Sequence, residues 1–173
     1  MACPSELLAE RDPVVIAAFC DHWEVDPADA DAVFEDAVAW LWLATRPGAP
    51  PLSITEPLRI VDEMWHEFLL HSTRYAAFCE RWFGRYVHHE PTPQGAGHVG
   101  DALHRRVHDQ GAFIAKELGV GRLLRWYVEL PQRFDDAWFQ RARRHRPMHY
   151  QPTAKLLAQW QAWRRQTGAD VGG

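Results

Sequence analysis

Asp62, His66, His88 and His89 are the side chains of this 173-residue chain whose types and spacing best suit chemistry. On a helix, a carboxylate and an imidazole four positions apart project the same way, one turn above the other. A second pair of imidazoles brought over that turn would complete a site. One carboxylate with neutral imidazoles is a hard-to-borderline donor set that suits a divalent metal ion, with iron or zinc foremost and manganese also accommodated. If only three of the four bind, a position stays open for substrate. The competing reading needs no ion. In it His66 is hydrogen-bonded to Asp62, the His-His pair caps a helix end, and the surrounding aromatics are core.

Two helices and a turn must position these residues. Val61, Met64, Trp65, Phe68 and Leu69 share one apolar face at 100° per residue, with Asp62, His66 and Thr73 along its edge. That spacing predicts a helix over about 56–71, capped by Thr55, and a second beginning near Ser72. Tyr75, Phe78, Cys79, Trp82, Phe83 and Tyr86 continue at helical spacing, so Cys79 reads as a small buried hydrophobe. Gly84 then suits a left-handed helix end, after which the chain can double back and carry His88 and His89 over the first helix. Trp65, Thr73, Tyr75 and Tyr86, with Trp82, are the expected enclosure of the pocket.

Other chemistry-bearing residues read more plainly. Glu63, Glu67 and His71 fall on a separate stripe of the first helix, which reads as a solvated face. Asp101, His104 and His108 share one face of a helix over 101–119, away from a seam of Leu103, Val107 and Ile114, and would matter only if that helix packs on the motif. His22, His145 and His149 have no evident partner in the sequence.

The remaining chain is punctuated as a helical domain. Asp12-Pro13 and Asp26-Pro27 each set an N-capping acid before a proline at the first helical position. RPGAPPLS (46–53) is a connector and HHEPTPQGAG (88–97) a loop, while Gly121, Pro131 and Pro147 separate three further short helices. Sustained two-residue alternation is absent. The expected fold is all-α: one compact helical bundle of about six to eight short helices spanning 1–173, with the motif at 53–91 and a loose tail at 169–173.

Residues 61–79, VDEMWHEFLLHSTRYAAFC, followed by FGRYVHHEP (83–91), resemble the motif of the glycine-rich domain-containing protein-like family. The resemblance is dense over 53–91 and carries Asp62, Trp65, His66, Thr73, Tyr75, Cys79, Gly84, His88, His89 and Pro91. It implies a shared site, with no named reaction attached. Many members place a further histidine two residues beyond the Trp-His pair, where this chain has Phe68.

Composition narrows the function classes. With 47% hydrophobic residues and nine tryptophans, burial can offset the ordering entropy, so an aromatic core is expected. Three well-separated cysteines favour a reducing, cytoplasmic setting, and the longest apolar run, AVAWLWLA (37–44), is too short to span a bilayer. Charge is uneven: residues 1–56 hold eleven acids against two arginines, whereas residues 120–173 hold ten basic residues against four acids. Mutual attraction within the fold accounts for this better than nucleic-acid binding by RARRHRP (141–147), which no nucleic-acid motif accompanies. No phosphate loop, dinucleotide fingerprint or Ser-His-Asp pattern occurs. If the chain is an enzyme, a metal-dependent oxidoreductase acting on a small molecule or peptide is the first expectation and zinc-assisted hydrolysis the second. A non-catalytic protein-interaction module is the alternative.

Overall fold

The computed structural model describes residues 3–89, 101–144 and 153–167, all of them helix or connector. The expected tail at 169–173, together with His145, His149 and Pro91, lies outside the described residues, as do the side chains of Asp101 and His104. In chain order the helices are α1 (Ser5–Leu8), α2 (Pro13–His22), α3 (Pro27–Ala44), a 3-10 turn (Glu56–Leu58), α4 (Arg59–Leu70), α5 (Ser72–Phe83), α6 (Asp101–Leu118), α7 (Val120–Leu124), a π-helical turn (Arg125–Glu129), α8 (Leu130–Arg133), α9 (Asp136–Ala142) and α10 (Thr153–Thr167). Among the described residues there is no strand, only one antiparallel bridge between Trp23 and Arg143. No helix among them is long and apolar enough to cross a membrane.

The caps form as their residue types dictate. The Asp12 carboxylate accepts from the backbone N–H of Val14 and Val15, and Asp26 accepts from Ala28, in each case with proline in the first turn. α3 then runs through the centre of the molecule. It is apolar on nearly every side, from Val33 to Leu43, as a helix surrounded by others must be. α2 and α4 pack on it, with Phe34 against Phe68 of α4 at 5.3 Å between ring centroids, and Trp126 of the π-helical turn packs against Trp40 at 5.7 Å. Burying side chains of this size stabilises the fold by about 1.5 to 3 kcal/mol each.

Asp36 is the exception on α3: wholly buried, it accepts from Trp126 Nε1 at 2.8 Å and Arg125 Nε at 2.9 Å, and pairs with Arg122. Glu35 beside it bridges Arg122 and Arg11, and Asp29 pairs with Arg133. The charge imbalance along the chain is thus consumed in part by ion pairs between α3 and the α7–α8 region. Burial pushes the Glu35 carboxyl up, but hydrogen bonds and charge from Arg122 and Arg11 outweigh it and hold the group below its ordinary value.

Two punctuation signals act differently from expectation. Gly121 lies inside α7 and marks no break; the break falls at Gly119, the glycine that closes the expected 101–119 helix, and its φ of 91° suits glycine. Pro131 does not end its helix. Its missing N–H and its ring would clash with the regular ladder to residue 127. The turn before it widens instead, so that the Leu130 N–H reaches back to Arg125, five residues away. This widening and the short α1 divide the chain more finely than the six to eight helices expected.

Candidate metal centre

α4 presents its apolar face to α3 through Ile60, Val61, Met64, Trp65 and Phe68, all buried. Asp62 and His66 stand at the edge of that face, one turn apart, with His66 Nε2 3.9 Å from Asp62 Oδ2. At His71 the backbone leaves helical geometry (φ −86°, ψ 54°), and α5 starts in a new direction. This overturns one helical-wheel expectation. Thr73 belongs to the first turn of α5 and is exposed, because the wheel of α4 cannot be extended through the kink.

Gly84 ends α5 in the left-handed conformation (φ 63°), its N–H bonded to Glu80 O, and the chain returns over α4 as the sequence predicts. Tyr75 fixes this return. Its buried hydroxyl accepts from Trp65 Nε1 at 3.0 Å and donates to Val87 O at 2.6 Å. Cys79 is fully buried beside them; burial pushes its thiol up, while hydrogen bonds with the Val87 backbone and Tyr75 act the other way. With Val87 tied down, His89 lies over α4, its ring 4.3 Å from that of Trp65 and 4.6 Å from that of His66. His89 Nε2 is 2.9 Å from Asp62 Oδ1.

One ligand atom from each of Asp62, His66 and His89 lies within 4.8 Å of the other two. This is the one grouping of three or more such residues so placed among the described residues. Two donors about 2.1 Å from one ion sit about 3.0 Å apart at a right angle and about 3.4 Å apart at a tetrahedral one, so these separations come within a side-chain rotation of a coordination sphere. His88, the fourth ligand expected, stands outside the group. Neighbours in an extended segment point opposite ways, so His88 is exposed with its ring 4.9 Å from Tyr86, while His89 faces inward.

The three residues open on a cleft of about 410 Å³. Trp65, Trp40, Leu52, Ile54, Val87 and His88 line it. Of the expected enclosure, Trp65 lines the cleft. Tyr75 supports it from behind, and Tyr86 packs edge-on against Tyr75 at 5.1 Å. The opposite wall is held by Gln110 of α6, which accepts from the Ser53 N–H and donates to Ser53 O and to Tyr127 Oη. Gln110 is buried at a seam position, between Val107 and Ile114, and that polar residue at apolar spacing was the signal in the sequence. Val107 is itself exposed, and so is His108, which pairs with neighbouring Asp109 at 3.5 Å.

Of the stripe expected to be solvated, Glu63 and His71 are partly exposed and Glu67 is not. Glu67 is buried, with His22 Nδ1 2.6 Å from Oε2 and His71 Nε2 3.5 Å from Oε1. This gives His22 a partner that its sequence context did not reveal.

A family model matches residues 18–100, just under half of the chain. The matching family is UCP032817-like. That finding replaces the glycine-rich domain-containing protein-like resemblance drawn from residues 53–91. The matched stretch begins within α2 and takes in all of α3, so similarity runs through the scaffold as well as the motif. A short aromatic and histidine string on a helix, turn and helix is too local a pattern to separate one helical family from another. No curated protein and no solved structure matches the chain.

Proposed function

We propose that the chain is a mononuclear divalent-metal protein whose ligands are Asp62, His66 and His89, with iron(II) the first candidate and zinc the second. The observation that supports it best is the convergence of one carboxylate and two imidazoles within 4.8 Å at the mouth of a cleft. Two histidines and one carboxylate on one side of an ion, with open positions opposite, are the donor set of non-haem iron oxygenases. Bound iron would supply a redox centre with room for a small-molecule substrate, which places oxidative chemistry ahead of hydrolysis. Hydrolysis would also need a free base beside the ion; Glu67 is committed to His22 and His71 on another side of α4, and Glu63 belongs to that same separate stripe.

One observation favours a second reading, a non-catalytic interaction module. The 2.9 Å contact between His89 and Asp62 is a complete hydrogen bond that pins the 85–89 segment without any ion. Metal analysis separates the two. Protein purified without a histidine tag and loaded anaerobically with iron(II) should retain about one equivalent per chain after desalting, and His66→Ala should retain none. Equal retention by the two proteins would leave the structural latch as the better account.

A further inference from the structure

We propose that the cleft binds a small mono-anionic oxygen donor with an apolar body, such as a carboxylate of benzoate size. Its oxygen would meet an ion held by Asp62, His66 and His89, and its body would lie against Trp40, Leu52 and Ile54. The inference rests on the metal reading above and goes beyond it by naming the ligand class. Charge carries the first step. A divalent ion held by one carboxylate and two neutral imidazoles keeps one positive charge, and the cleft walls beyond the ligands are chiefly apolar. The site is at the cleft mouth, with the His66 side chain 49% exposed, so water competes for the open position and charge is what favours an anionic oxygen over it. A single anionic oxygen neutralises the remaining charge.

A dianion is a poor fit by the same reasoning. Among the described residues no lysine or arginine lines the cleft, so a phosphate monoester would bring a second negative charge to walls that offer it neither. Size and surface carry the second step. At about 410 Å³ the cleft is at the small end of ligand sites, with room for one ring or a short acyl chain. The wall is also built to keep its shape, because Gln110 bonds both backbone polar groups of Ser53 between Leu52 and Ile54. These two aliphatic side chains are therefore presented to the cleft on a segment tied to α6.

Cobalt(II) tests this on the full chain, because its visible absorption bands report directly on the ligands around it. Benzoate added to the cobalt-loaded protein should shift those bands and saturate at a concentration about tenfold or more below that of acetate, which has the oxygens without the ring. Inorganic phosphate should give no saturating shift. Ile54→Ser should raise the benzoate concentration needed by about tenfold while the spectrum without benzoate stays unchanged. Cobalt bands indifferent to benzoate, equal responses to acetate and benzoate, or tighter binding of phosphate would each overturn the ligand class and leave the metal reading standing. Failure to take up stoichiometric cobalt would overturn the metal reading, and this inference with it.

Discussion

α4 anchors two clusters with the same kinds of donor and opposite design. On one edge Asp62 meets His66 and His89; on another Glu67 meets His22 and His71. Each is one carboxylate with two histidines. The Asp62 side chain keeps 27% of its surface exposed and faces a cleft, and its partners converge on a common point. The Glu67 side chain keeps 8%, and its two histidines take different oxygens. The first arrangement leaves space for an ion. The second fills its space with one hydrogen bond and one ion-pair contact and ties α2 to the α4–α5 corner. A donor count therefore does not define a metal site; convergence and open volume do.

The sharpest way to break this comparison is to remove a histidine from each cluster. His89→Ala should weaken cobalt(II) or iron(II) binding by more than about 100-fold, whereas His22→Ala and His71→Ala should leave it within about twofold, as measured by metal competition. Metal lost on changing His22 or His71 would mean that the two clusters act as one. Stability should respond the other way round. Glu67→Gln weakens the part-buried hydrogen bond to His22 and the contact with His71, and urea unfolding should report a loss of about 1 to 3 kcal/mol with metal affinity unchanged.

Tyr75→Phe addresses how the open cluster is assembled. It removes the hydroxyl between Trp65 and Val87 while keeping the ring, so the segment bearing His89 loses its tether. Metal affinity should fall by about tenfold, with a stability cost of only about 1 kcal/mol. A loss of stability without any change in affinity would assign Tyr75 to the core alone.

Glu35 supplies a third carboxylate for scale, flanked by two arginines in place of two histidines. Its pKa is lowered in the folded chain, so its contribution is fully present above the ordinary value of 4.5 and is lost as pH falls through the lower folded value. Thermal melts should therefore show a smaller acid-induced drop in Glu35→Gln than in the wild type below about pH 4.5. An identical acid profile would remove Glu35 from the ledger.

Much of the scaffold was legible in the sequence because its signals are local. An aspartate before a proline sets a helix start whatever lies nearby, and Gly84 permits a left-handed turn that other residues resist. Helical spacing alone put Asp62 and His66 on one edge and Cys79 on the buried stripe, since both follow from 3.6 residues per turn. What only the tertiary structure decided depends on contacts distant in sequence. The choice of His89 over His88 follows from the bond that fixes Val87 to Tyr75, and an extended segment lets only one of two neighbours face inward. The burial of Glu67 and Asp36 depends on partners 45 or more residues away, His22 for one and Arg122, Arg125 and Trp126 for the other. Periodicity marks which residues share a face of a helix, but a polar residue is buried or solvated according to what the neighbouring helix brings to meet it.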